Sequence, residues 1–150
     1  RGGSVISGVR WGEKVYSPII AKGEADYLVA FEKSEAMRYI DHLRSDGVAL
    51  INNYRITPLT VSSGNASYPT DEQIHEVTAR FTEKAYWVDG VGIAEKVGNV
   101  KTANVVLLGA LSRVLNIPSE KWLDAIARHI PVKLLELNRL AFEAGQAVKF

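Results

Sequence analysis

An open, mostly parallel α/β sheet flanked by helices is the fold this sequence predicts, and three observations predict it. Asp26–Phe31 (DYLVAF) and Val48–Asn53 (VALINN) are short, nearly continuous apolar runs, the pattern of strands buried on both faces. A stretch of helical period, Ser34–Arg44, lies between them. From Asp89 onward the chain carries helical periodicity only, so a helical layer closes it.

At the start of the chain, Arg1-Gly2-Gly3-Ser4 is a loop, because paired glycines admit backbone conformations closed to other residues. Val5–Trp11 alternates, Gly12-Glu13-Lys14 turns, and Val15–Ser17 returns before Pro18, which predicts an N-terminal hairpin. The strand at Asp26–Phe31 leads to a helix capped by Ser34, with Ala36, Ile40 and Leu43 on its inner face. Asp46-Gly47 turns into the strand at Val48–Asn53, and this β-α-β unit crosses over right-handed. Tyr54–Tyr68 is polar, with a weak strand at Leu59–Val61.

Thr70 and Gln73 form a capping-box pattern that opens a helix with Ile74, Val77 and Phe81 inward. Ala85–Val88 is a further strand, and Asp89 caps a short helix, Val91–Val97. Gly98 then suits a helix C-cap, and Asn99 caps the next helix. In Ala103–Leu111 only Asn104 is strongly polar, so this helix is buried nearly all round. Its main stripe is Val105, Leu108, Leu111 and Leu115, and Gly109 admits a close neighbour. Ser119 and Glu120 open a helix bearing Trp122, Ile126 and Ile130. Pro131 opens the last, with Leu134, Leu137, Ala141 and Ala144 as its apolar face. The whole reads as a single domain over residues 1–150 with a Rossmann-like sheet.

Composition narrows the chemistry. A net charge of +1 with acids and bases interspersed predicts no nucleic-acid partner. The absence of cysteine rules out disulfides, cysteine nucleophiles and iron–sulfur clusters held by these residues. The apolar run is too short to span a bilayer, and no signal peptide is visible, so the expected location is the cytoplasm. His42, His75 and His129 are far apart and lack metal-site spacing. No serine sits in a nucleophile elbow.

Several stretches are candidates for ligand contact. Arg1, Gly2, Gly3 and Ser4 combine exposed backbone amides with an arginine suited to phosphate or carboxylate. Asn53 and Glu32 lie at carboxyl ends of predicted strands, where open sheets bind ligands. Glu32 reads equally as a helix cap. Asn99, beside Lys101 at a helix start, reads as a cap or an anion contact. Asp89-Gly90-Val91-Gly92 begins like a dinucleotide fingerprint, but Glu95 stands where the third glycine belongs. Asp46-Gly47 and Asn52-Asn53 recapitulate pieces of a thiamine diphosphate motif at far too short a spacing. An alternative function is therefore a stand-alone nucleotide- or small-ligand-binding α/β domain. Another makes the last two helices a docking module with Trp122 as an exposed anchor.

Several ordered segments carry a resemblance: RGGSVISGV at Arg1–Val9, GEKVYSPI at Gly12–Ile19, GEADYLVAFEKSE at Gly23–Glu35, VALINNYRITP at Val48–Pro58, and Gly98–Gly109 with Ile117–Trp122. Together they resemble the gamma-type subunits of 2-oxoacid:ferredoxin oxidoreductases, over almost the whole chain. RGGSV, in place of the RRGAPV-like pyruvate pattern, favours the indolepyruvate (aryl 2-oxoacid) branch over pyruvate, 2-oxoglutarate or branched-chain relatives. The resemblance implies oxidative decarboxylation to an aryl-acetyl coenzyme A, with coenzyme A as co-substrate. It places thiamine diphosphate and the iron–sulfur clusters on a large (alpha) subunit, which passes electrons to ferredoxin, and no cofactor on this chain alone. It leaves the catalytic residues unidentified and implies a substrate or coenzyme A side formed by Arg1, Gly2, Gly3 and Ser4, with Asn53, Asn99 and Asn104 further out. Family members carry a strand and a G-x-G-G-x-G loop upstream of the RGG segment. The resemblance therefore implies an N-terminally incomplete domain.

Overall fold

The structure, a computed structural model, describes residues 4–150. A three-stranded sheet of order β1-β2-β3 is formed by β1 (Ala25–Ala30), β2 (Leu43–Asn52) and β3 (Ala85–Val88). β1 and β2 are parallel, with Leu28 opposite Ala49 and Ala30 opposite Ile51. Ala49 N–H donates to the Lys84 carbonyl at 3.0 Å and Asn53 N–H to the Val88 carbonyl at 2.7 Å. The two bonds advance together along both strands, as parallel register requires. The chain divides into two compact units: residues 1–51 with 55–86, and residues 52–54 with 87–150.

In the first unit α1 (Lys33–Tyr39) follows β1 and continues as a 3-10 turn, Ile40–His42. The inner face is as the spacing predicts: Ala36, Ile40 and Leu43 are all buried. The cap is not Ser34. Glu32 occupies the N-cap and accepts the Glu35 N–H, because its longer side chain reaches back from an extended backbone. β2 starts earlier than Val48, and Asp46-Gly47 lies inside an irregular stretch between the pairs Ala25–Leu43 and Tyr27–Val48. The extra residues bulge out, and Thr82 holds them by donating its hydroxyl to the Gly47 carbonyl at 2.6 Å.

Leu59–Ser62 is a helical turn, α2, and not the expected strand, because Val61 N–H and Ser62 N–H both donate to the Pro58 carbonyl at 3.0 Å. The capping box at α3 (Asp71–Ala79) forms in full: Thr70 accepts the Gln73 N–H and Gln73 accepts the Thr70 N–H. Phe81 is not inward. The helix ends before it, and Thr78 takes the buried position, donating to the Ile74 carbonyl at 2.8 Å.

The expected N-terminal hairpin is not formed. No strand is assigned between Ser4 and Glu24, and Val5, Val9, Trp11, Tyr16 and Ile19 are exposed. A two-stranded ribbon that leaves these apolar side chains exposed has too little burial to stabilise it.

The second unit holds the helical layer. α4 (Gly90–Val97) is capped by Asp89 and ends at Gly98, whose φ of 115° lies in the left-handed region. Asn99 then caps a 3-10 turn, Val100–Thr102, ahead of α5 (Ala103–Leu115). α6 (Ser119–His129) and α7 (Leu135–Gln146) complete the layer. Pro131 opens a 3-10 turn at Val132–Leu134, one turn before α7 begins.

α5 and α7 cross at two glycines. A Cβ on Gly109 would fall on the Phe142 carbonyl, and one on Gly145 would fall on the Val106 carbonyl. This contact shifts the buried faces only in part, for Val105 on α5 and Ala141 on α7 are buried as their stripes predict. Val106, Gly109 and Ala110 are buried on α5, while Leu108 and Leu111 are only half-buried. On α7 the buried residues are Asn138, Ala141, Phe142 and Gly145, and Leu134 is exposed. Backbone approach at small residues outweighs the larger side chains because it brings many more atoms into contact.

Candidate functional site

Glu32 follows β1 directly and is 4% exposed. A carboxylate so placed must be satisfied by donors, or its burial is prohibitive. Four donors meet it. One carboxylate oxygen, Oε2, accepts the Ser34 hydroxyl at 2.6 Å and the Glu35 N–H at 3.0 Å. The other, Oε1, accepts the Ile56 N–H at 3.3 Å and the Tyr68 hydroxyl. One side chain thereby fastens the start of α1 to both ends of the segment that runs from Ile56 to Tyr68.

Burial raises the pKa of Glu32, but the hydrogen bonds from Ser34, Tyr68, Glu35 and Ile56 outweigh it, and the group lies below the ordinary glutamate value. Tyr68 moves the other way. Its own burial, then its hydrogen bond and charge repulsion with Glu32, push the phenol up to about 12. The Arg55 guanidinium lies 4.2 Å from the centre of the Tyr68 ring, a cation–π contact. Nearby, Lys33 bonds to Asp71 at 2.6 Å and holds that carboxyl below its usual range.

A cleft of about 310 Å³ opens beside this cluster. α1 contributes Ser34, Met37 and Arg38, and the segment after β2 contributes Pro58, Val61 and Tyr68. It is therefore built from the segments that follow β1 and β2 in the chain, the segments from which open α/β sheets build ligand sites. Glu32 has both oxygens committed to donors, and a phenol near 12 is no base at neutral pH, so neither is poised for proton transfer.

The residues that the sequence singles out fall in different places. Arg1, Gly2 and Gly3 lie outside the described residues. Ser4 is exposed; its hydroxyl donates to the Glu35 carboxylate and stands 2.9 Å from the Tyr39 hydroxyl. In the second unit Asn53 is exposed just past β2. Asn99 is engaged as a cap, its side chain accepting the Lys101 N–H at 3.0 Å. Asn104 is on the exposed side of α5. The Asp89–Glu95 stretch is a capped turn: Asp89 accepts the Gly92 N–H at 2.9 Å and Asn52 accepts the Gly90 N–H at 3.0 Å. Those amides are thus already bonded and not held open for a pyrophosphate.

Tyr68 and Arg55 were not among the sequence candidates. Their only signal was Glu32 itself, an acid directly after an apolar strand, which needs distant donors if it is buried. His42 and His75 lie in the first unit and His129 in the second, and all three are half-buried or exposed. Among the described residues no group of three His, Asp or Glu side chains converges to hold a metal ion. No helix among them is long and apolar enough to cross a membrane.

Comparison with known proteins places this architecture. The family model described as pyruvate ferredoxin/flavodoxin oxidoreductase matches residues 1–148. The chain is 42% identical over 148 residues to indolepyruvate oxidoreductase subunit IorB of Thermococcus kodakarensis, covering 97% of this chain and 73% of that protein. It is 38% identical to the IorB subunit of Pyrococcus horikoshii, with the same coverage. The crystal structure of a keto/oxoacid ferredoxin oxidoreductase gamma subunit from Geobacter sulfurreducens superposes with a TM-score of 0.59 at 25% identity. That match covers 85% of this chain and 65% of the solved one, so the chain spans about two-thirds of its structural relative.

Proposed function

The chain belongs to the pyruvate ferredoxin/flavodoxin oxidoreductase family, and from that membership we propose that it is the small, gamma-type subunit of an indolepyruvate (aryl 2-oxoacid):ferredoxin oxidoreductase. The observation that carries the proposal is the identity to IorB subunits along nearly the full chain. In this reading residues 1–150 belong to one gamma-type domain working in the cytoplasm. The complex decarboxylates an aryl 2-oxoacid, transfers the acyl group to coenzyme A and passes two electrons to ferredoxin.

Thiamine diphosphate and the iron–sulfur clusters belong, in this reading, to the large alpha subunit. The donor set supports that division: the chain has no cysteine, so it offers no thiolate to a cluster. Arg1, Gly2, Gly3 and Ser4 face the substrate and coenzyme A side of the assembled site, with Asn53, Asn99 and Asn104 around it. Tagged full polypeptide, coexpressed with a cluster-bearing alpha subunit, copurifies with it in a fixed ratio. A monodisperse monomer that ignores that subunit counts against the proposal.

A further inference from the structure

We propose that the cleft between α1 and the segment after β2 is a binding site for a small aromatic carboxylate, with Arg38 as its anion partner. The anionic half of this ligand class rests on the cleft itself. The aromatic half rests in addition on the function proposed above, which it deepens by giving the chain a subsite of its own.

Size comes first. A volume of about 310 Å³ is at the low end of ligand pockets, which run from roughly 300 to 1,000 Å³. One ring system with a short acidic arm fits; a dinucleotide does not. Shape comes next. Met37 lines one wall, Pro58 and Val61 another, and the Tyr68 ring is kept in place because its hydroxyl is bonded to Glu32. These apolar side chains beside an anchored aromatic ring suit a planar ring better than a flexible chain, which loses more conformational freedom on binding.

Charge selects the other end of the ligand. Arg38 is the cation lining the cleft, and its side chain is 54% exposed. Its Nε forms a loose ion pair with a Glu35 carboxylate oxygen at 3.6 Å, longer than a hydrogen bond and made through one nitrogen only. Arg44, by contrast, meets Asp26 at 2.6 Å and Asp46 at 2.8 Å. The guanidinium of Arg38 thus retains terminal N–H donors for a carboxylate, which it matches in a planar, two-point geometry. Glu32, which is bonded to the lining residues Ser34 and Tyr68, already has four donors.

The test titrates the full polypeptide with indole-3-acetate, an aryl carboxylate without a 2-oxo group and hence not a substrate for oxidative decarboxylation. Calorimetry and amide chemical shifts report binding. Saturable binding is expected, with shifts confined to α1 and residues 55–70. Arg38→Gln, at an exposed position that the fold tolerates, weakens it about tenfold. The neutral analogue indole-3-methanol binds about tenfold more weakly than indole-3-acetate and is indifferent to Arg38→Gln. Ala66→Trp, which fills the cleft from an exposed residue, abolishes binding. No saturable binding, unchanged affinity in Arg38→Gln or Ala66→Trp, or equal affinity for acetate overturns the inference. Copurification with an alpha subunit is read separately, so failure of the cleft and failure of the subunit assignment are told apart.

Discussion

The Tyr68 hydroxyl donates to the Glu32 carboxylate, although the two residues stand 36 positions apart in the chain. The bond closes a loop around α2 and gives a buried acid one of its four donors. Tyr68→Phe keeps the ring and removes the bond, so its effect isolates the contact. We expect a loss of about 1.5 kcal/mol, the range for a hydrogen bond to a charged group. Denaturant unfolding measures it, and amide exchange in residues 56–68 should accelerate in the variant. Unchanged stability and exchange would show that the loop is held elsewhere.

The same pair sets a pH window. Glu32 lies below its unfolded value, so its contribution is complete above the ordinary glutamate pKa and is lost as pH falls through the folded value. Tyr68 is raised to about 12, so its contribution is complete below the unfolded tyrosine pKa of about 10 and fades as pH rises toward 12. Melting temperature followed from pH 3 to 11 should be flat across neutrality and fall at both ends. In Tyr68→Phe the alkaline fall should shrink.

Gly109 and Gly145 each sit where a methyl group would strike the other helix's backbone. Backbone cannot turn aside as a side chain does. Gly109→Ala and Gly145→Ala should therefore each cost about 3 kcal/mol, the upper part of the range for overpacking, although alanine raises helix propensity. Thermal unfolding decides it. A neutral or stabilising effect at either position would mean that α5 and α7 are not in backbone contact.

Asn52 accepts the buried Gly90 N–H, and Asp89 accepts the Gly92 N–H, so two side chains hold the start of α4. Asn52→Ala leaves a buried donor unmet and should cost about 2 kcal/mol. Asp89→Ala, at an exposed cap, should cost about 1 kcal/mol. Equal effects of the two would contradict the difference in burial.

Much of this architecture was legible in the residues. Ala85–Val88 is a strand over the predicted range, and the Thr70–Gln73 capping box forms as read, because both signals are local. The relation of α5 to α7 was half legible: Gly109 pointed to close approach, but its partner Gly145 is distant in sequence, and their meeting sets which stripes are buried. The hairpin failed because alternation at Val5–Trp11 states a preference that only a neighbouring strand can realise. Glu32 was visible as a strand-end acid, whereas Tyr68 and Ile56 reach it only through the path of the intervening loop.

The central claim is that this polypeptide supports a reaction whose thiamine and redox chemistry belongs to another subunit. The direct measurement is indolepyruvate-dependent, coenzyme A-dependent ferredoxin reduction by the full polypeptide, assayed with and without the cluster-bearing alpha subunit. The account predicts turnover only when both are present. Turnover by this polypeptide alone would contradict it.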